Sequence, residues 1–260
     1  MIYMAFLILT VAILAFAFYE WQYYMVFSPT YKRDEALSAS CSIISLVTAD
    51  GVKLEGTVCE SPNATNTLLA FVGRGHDAVG LINKLSSAYP NTRVVTFNYR
   101  SYGKSEGKAN EKNLLKDSLQ IAEFVQKNYG DFYLLGFSLG SNVAAYVASI
   151  HRAKAIFLVG AFDSLAALAK TKFVDRSFFP MIDLSKMFRC KFRTSDYVKK
   201  IDVDTYLFVS KSDETTYIEN SRDLKLSVKN LTYYTELENL THKELLWSDA
   251  VMNKINEVVR

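Results

Sequence analysis

Residues 2–19 form an almost unbroken apolar run in which Thr10 is the single clearly polar side chain. A run of that length is about what a helix needs to cross a bilayer. Glu20 ends it, and Trp21, Tyr23 and Tyr24 follow, aromatics of the kind that settle among lipid headgroups. The run has no polar face, unlike the amphipathic helix of a soluble core. A cleaved signal peptide is the competing reading. Ala15-Phe16-Ala17 fits a small-x-small cleavage site, but no Lys or Arg precedes Lys32, so the basic leader region is missing. Residues 1–24 are therefore expected to be a transmembrane anchor (or signal peptide), and 25–40 a polar linker. Residues 41–260 are expected to form the folded domain.

Inside that domain the pattern changes. Residues 43–48 and 52–59 alternate apolar and polar around Asp50-Gly51, a strong hairpin signal. Continuous apolar runs at 67–72, 93–97, 132–136, 155–160 and 205–210, with 231–235 after them, suit strands, the continuous runs being covered on both faces. Between them lie stretches of helical spacing at 78–89, 110–129, 139–151 and 217–228, and a last helix from about His242. An antiparallel hairpin followed by alternating strand and helix predicts an α/β fold, with a mainly parallel sheet and helices on both faces. Residues 163–200 interrupt this rhythm with mixed aromatic and basic residues, among them Phe173, Phe178, Phe179, Phe188 and Phe192. They read as a short, largely helical cap over one end of the sheet.

Composition narrows the class. The chain has 260 residues, half of them apolar, and a net charge of +3. It is long enough for a large core, and no dense Lys/Arg block suggests nucleic acid. Lys32 and Arg33, just after the span, weakly favour a cytoplasmic catalytic domain. The three cysteines, Cys41, Cys59 and Cys190, lack metal-ligand spacing. They read best as small buried hydrophobes, with one disulfide plus a free thiol as the alternative. No metal or organic cofactor is implied.

The chemistry centres on Gly136-Phe137-Ser138-Leu139-Gly140, a G-x-S-x-G sequence between a predicted strand and a predicted helix. That context fits a nucleophile elbow. Its glycines let strand and helix approach closely, and its serine sits in a strained turn over a helix N-terminus. A serine hydroxyl needs a base. Of the three histidines, His151 lies at the far end of the elbow helix, about 20 Å from Ser138. His76 precedes the elbow, in the loop after strand 67–72. His242 follows the last strand, where the order Ser, acid, His puts the base. Asp213, just after strand 205–210, is the expected acid that orients the imidazole. Glu214 and Asp163 are competitors, while Asp202 and Asp204 precede their strand and so lie at the wrong end of the sheet. The backbone N–H groups of Leu139 and Gly75 are the expected oxyanion donors.

With these residues in place, the chain from about Leu68 to Leu246 resembles an α/β-hydrolase. It is most similar to the membrane-anchored serine hydrolases of the α/β-hydrolase-domain group, which include protein depalmitoylases. Besides the elbow, Asn98-Tyr99-Arg100-Ser101-Tyr102-Gly103-Lys104-Ser105-Glu106-Gly107 resembles the family's D-Y-R-G-Y-G-x-S-x-G, and 210–214 and 241–244 resemble its acid and histidine loops. Asn98 and Ser101 depart from the pattern. Gly73-Arg74-Gly75 stands where the family has H-G-N/G, without the usual His unless His76 replaces it. The resemblance implies hydrolysis of an ester or thioester, in an acyl lipid or acylated protein, through an acyl-enzyme on Ser138. A serine peptidase and a non-catalytic, membrane-tethered interaction module are the alternatives.

Overall fold

The computed structural model describes residues 2–62, 64–173 and 188–260. The hairpin around Asp50-Gly51 forms as β1 (Cys41–Val47) and β2 (Lys53–Cys59), with Gly51 at φ 79° in the turn. The apolar runs become β3 (Thr67–Phe71), β4 (Arg93–Phe97), β5 (Phe132–Phe137), β6 (Ala155–Val159), β7 (Asp204–Ser210) and β8 (Leu231–Leu237). All join one sheet in the order β1-β2-β4-β3-β5-β6-β7-β8. The two pairings of β2 are antiparallel and the rest are parallel.

The continuous apolar runs are explained by cover on both faces. Leu69 and Phe71 of β3 point into one core cluster, while Leu68 and Ala70 point into the other. The first face is covered by α3 (Glu111–Tyr129) and α4 (Leu139–Ala148), which bury Leu114, Ile121, Val143 and Val147. The second is covered by α2 (Ile82–Ala88), whose Ile82 and Leu85 are buried, together with the C-terminal segment. A short α5 (Leu165–Phe173) and α6 (Thr194–Val198) flank the cap region, and α7 (Ile218–Lys225) follows β7. The central part of the expected cap, including Phe178 and Phe179, lies outside the described residues.

Two helices differ from their expected extents. The 78–89 stretch is helical only over α2, because the Asp77 carboxylate accepts from Val79 N and Gly80 N and shapes a turn first. The last helix is split into α8 (His242–Leu245) and α9 (Asp249–Val258), with the restart at Ser248. Leu245, Leu246, Val251 and Ile255 are nevertheless all buried, so the apolar stripe persists across the break.

The cysteine reading is corrected for two of the three. Cys41 and Cys59 face each other across β1 and β2 and form a disulfide, while Cys190 is a free, buried thiol. The hairpin register brings the pair together, since both cysteines stand equally far from the turn residue Asp50.

The apolar N-terminus is one helix, α1 (Ile2–Val26). It is long and apolar enough to cross a membrane, and its hydrophobic window is not buried against the protein. Its last turns are different, because Tyr23, Val26 and the following Phe27 belong to the first core cluster. The 25–40 stretch is pinned along the domain rather than hanging free. Arg33 is paired with both Glu55 and Asp77, Lys32 N donates to Asp77, and Asn83 bonds Ser38 N and Ala36 O.

Candidate active site

Ser138 sits where β5 meets α4, at φ 54° and ψ −119°. A positive φ is costly for a residue with a Cβ. The surrounding bonds hold it there. Ser138 N donates to Val159 O at 2.9 Å, and Ser138 O accepts from Ser141 N at 2.9 Å and Ser141 Oγ at 2.5 Å. The flanking glycines are required by close approach. A Cβ on Gly136 would lie 2.6 Å from Gly140 O and Ser141 Cα, and one on Gly140 would strike the Phe71 carbonyl. Leu139 opens α4, so its N–H has no acceptor within the helix and stands at the positive end of the helix dipole.

The expected acid and the expected base meet across the ends of β7 and β8. Asp213 Oδ2 lies 2.7 Å from His242 Nδ1, and both residues are buried. Asp213 is locked by its own loop, its Oδ1 accepting from Thr215 N and Thr216 N at 2.7 Å each and its Oδ2 from Thr216 Oγ1 at 2.6 Å. Burial pushes the Asp213 carboxyl up, but the His242 imidazole and the Thr216 donors outweigh it and leave its pKa below the ordinary value. The imidazole stacks on Phe137, the residue before Ser138, with centroids 4.9 Å apart and planes at 27°. Gly160 leaves room for the ring, since a Cβ there would lie 3.2 Å from His242 Cε1. His242 itself begins α8, whose first turn is fixed by a capping box between Thr241 and Glu244.

The competing carboxylates fall elsewhere. Glu214 Oε2 accepts from His242 N, on the backbone rather than the ring. Asp163 is engaged by Asn220, and burial raises its pKa. Asp202 and Asp204 bond Lys229, Asn230 and Thr232 around the start of β7, away from the strand end that carries Asp213. His151 packs on Phe132, the first residue of β5, and is likewise remote from Ser138. His76 packs against Phe137 with centroids 5.9 Å apart, and its pKa is lowered by burial and by the nearby His242 and Lys243.

The loop after β3 gives a finer picture than the sequence did. Gly73 packs beside the elbow, where a Cβ would lie 3.3 Å from Ser138 Cβ, whereas a Cβ on Gly75 would meet nothing within 4 Å. Arg74, between them, lines one cavity with Ser138 and Leu139. Sequence reasoning missed what braces this loop. Tyr99 Oη donates to Val72 O at 2.8 Å and Tyr102 Oη donates to Arg74 O at 2.7 Å, so two tyrosines of one segment bracket Gly73. Asn98, from the same segment, accepts from Ala78 N at 2.7 Å and donates to Asp77 Oδ1 at 2.8 Å. The Asn98-to-Gly107 stretch thus works as a scaffold for the loop. Among the described residues no three His, Cys, Asp or Glu side chains converge as metal ligands would.

Comparison with known proteins agrees with this architecture. A family profile described as alpha/beta hydrolase fold matches residues 70–189. The lysophosphatidylserine lipase ABHD12 of Danio rerio is 38% identical over 72 residues, covering 27% of this chain and 18% of the lipase. An uncharacterized membrane protein of Saccharomyces cerevisiae is 32% identical over 117 residues, covering 42% of this chain and 40% of that protein. The matches to these two therefore span less than half of either relative. Among solved structures, the Pyrococcus furiosus esterase Pf2001 superposes with a TM-score of 0.67 at 17% identity, covering 88% of this chain and 97% of that one. Est1E of Butyrivibrio proteoclasticus, solved with ferulic acid bound, gives 0.63 at 18% identity, covering 83% and 96%. Strand order, elbow and profile match together show that this chain has the α/β-hydrolase fold.

Proposed function

We propose that this chain is a membrane-anchored serine hydrolase that cleaves an ester or thioester, in an acyl lipid or acylated protein, through an acyl-enzyme on Ser138. The observation that carries the reading is the strained Ser138 over a helix N-terminus, together with a buried Asp213–His242 pair whose imidazole stacks on Phe137, the residue before the serine. Asp213 occupies Nδ1, so Nε2 is the nitrogen left to take the serine proton. Ser138 Oγ attacks the substrate carbonyl carbon as His242 accepts that proton. The oxyanion forms against Leu139 N–H and a second N–H from the loop after β3. Gly75 N–H is the expected second donor, and Arg74 N–H, beside the Gly73 that packs on Ser138, is the alternative. His242 then protonates the leaving alcohol or thiol. In the second half it deprotonates water, which releases the acid and restores Ser138.

Two features support an acyl-lipid or acylated substrate: the bilayer-length α1, and the largely apolar cavity above Ser138. The relative named as a lysophosphatidylserine lipase points the same way. Purified protein should release fatty acid from acyl-lipid vesicles or an acylated peptide and pass through a mass increment on Ser138. Hydrolysis confined to short water-soluble esters would contradict the substrate class.

The Cys41–Cys59 disulfide supports placing the domain on the oxidising side of the membrane, against the expectation from Lys32 and Arg33. Those two bases have structural partners, Asp34 for Lys32 and Glu55 and Asp77 for Arg33, which reduces their value as topology signals. Protease protection in sealed vesicles separates the two orientations.

A further inference from the structure

The cavity over Ser138 is not enclosed by the hydrolase sheet and cap alone. It has a volume of about 90 Å³, and α1 supplies one wall through Trp21, Met25 and Val26. The facing wall is α5, through Leu165, Leu168 and Ala169. Ser138 and Leu139 lie in the same cavity, and Arg74 and Lys172 bring charge to its lining.

The face of α1 that meets this cavity does not end there. Trp21 and Met25 continue a stripe of Phe18, Leu14, Val11 and Leu7, spaced alternately three and four residues apart, so all lie on one side of the helix. Every member is apolar. Phe18 and Trp21 stack with centroids 5.8 Å apart, while Leu7, Val11 and Leu14 are exposed. The transition between the bare and the packed part is marked by contacts to the cap. Arg189 N donates to Gln22 Oε1 at 2.8 Å, and the Arg189 guanidinium sits over the Tyr19 ring at 4.3 Å. Aromatic and arginine side chains at this level suit the headgroup boundary. The helix is also tied to the catalytic loop. Arg74 Nη1 donates to Met25 O at 2.5 Å, satisfying a carbonyl at the end of α1 that has no helical partner.

We propose that the last turns of α1 form part of the acyl-binding site, and that a single acyl chain reaches Ser138 from the bilayer along the Leu7-to-Met25 stripe, between α1 and α5. The anchor is then a specificity element as well as a tether. Trp21, Met25 and Leu168 set how much chain is accommodated, and Arg74 holds the helix end against the loop that carries the oxyanion donor. The stripe and most of the cavity lining are apolar, so the chain's methylenes are kept largely out of water. This inference rests on the acyl-enzyme reading of Ser138.

The test is a chain-length series of acyl esters assayed with the full-length protein in vesicles, comparing wild type with Met25→Trp and, on the facing wall, Leu168→Trp. Both variants add bulk to the cavity lining and keep Ser138, Asp213 and His242 themselves unchanged. The readout is the ratio of long-chain to acetyl-ester hydrolysis within each protein, with fluorophosphonate labelling reporting that Ser138 remains reactive. Hydrolysis of long-chain esters should fall by roughly tenfold or more, the effect of losing burial for two or three methylenes. Unchanged long-chain activity in both variants overturns the proposal. An equal fall at every chain length in both variants also overturns it, because the residues then act on the fold and not on the chain. If the wild type itself neither hydrolyses any ester nor takes the label, the acyl-enzyme reading fails first and takes this inference with it.

Discussion

The two halves of the candidate site are held in different ways. The acid–base half is local. Asp213 is fixed by Thr215 and Thr216, its immediate neighbours in the chain, and His242 is fixed by the capping box of its own short helix. The oxyanion half is assembled from distant parts. The loop after β3 is braced by Tyr99 and Tyr102 from beyond β4, and by the anchor helix through Arg74. The Tyr102 hydroxyl also accepts from Ser28 N, just past the anchor, so the same oxygen joins the anchor's end to the loop. The first half depends mainly on its own loops. The second is open to perturbation from the membrane side.

That contrast can be broken by mutation. Asp213→Asn acts on the local half and should have the largest effect, roughly a 10³–10⁴-fold loss of kcat with the fold retained, because the imidazole loses its orienting anion. The same variant has a pH signature. The Asp213 carboxyl lies below its ordinary value, so its ionised form contributes stability above about pH 4, and that contribution is lost as pH falls through the lowered value. The stability gap between wild type and Asp213→Asn, read by chemical denaturation, should therefore be full at neutral pH and shrink in acid. Tyr102→Phe acts on the assembled half. It removes the hydroxyl that holds Arg74 O, and should lower kcat by roughly three- to tenfold with little change in KM, as expected for a group that positions an oxyanion donor. A rise in KM at constant kcat would instead make Tyr102 part of ground-state binding. The smallest effect on activity is expected from replacing Cys41 and Cys59 by Ser. The disulfide lies on the edge hairpin, remote from Ser138, so kcat should hold while stability falls by about 2–4 kcal/mol in thermal or denaturant unfolding.

What could be read in the sequence follows the same division. The strands were legible because cover on both faces leaves continuous apolar runs, and the elbow because its glycines and serine are adjacent in the chain. The pairing of Asp213 with His242 followed from strand ends and chain order. The packing of Gly73 against Ser138 could not be read in the sequence, where Gly73 and Gly75 look alike. The roles of Tyr99 and Tyr102 depend on bonds to carbonyls 27 and 28 positions away in the chain, which no local pattern encodes. The Cys41–Cys59 pair was within reach, because counting outward from the hairpin turn makes the two cysteines cross-strand partners. The break between α8 and α9 left no such trace, as its apolar stripe continues through it.

The central claim is that Ser138 is an activated nucleophile, and active-site labelling tests it most directly. Full-length protein in vesicles would be treated with a fluorophosphonate and compared with Ser138→Ala, with circular dichroism confirming that both are folded. The account predicts a single labelled site in the wild type, mapped to Ser138, and none in the variant. Absence of label on folded wild type, or equal labelling of Ser138→Ala, would contradict it.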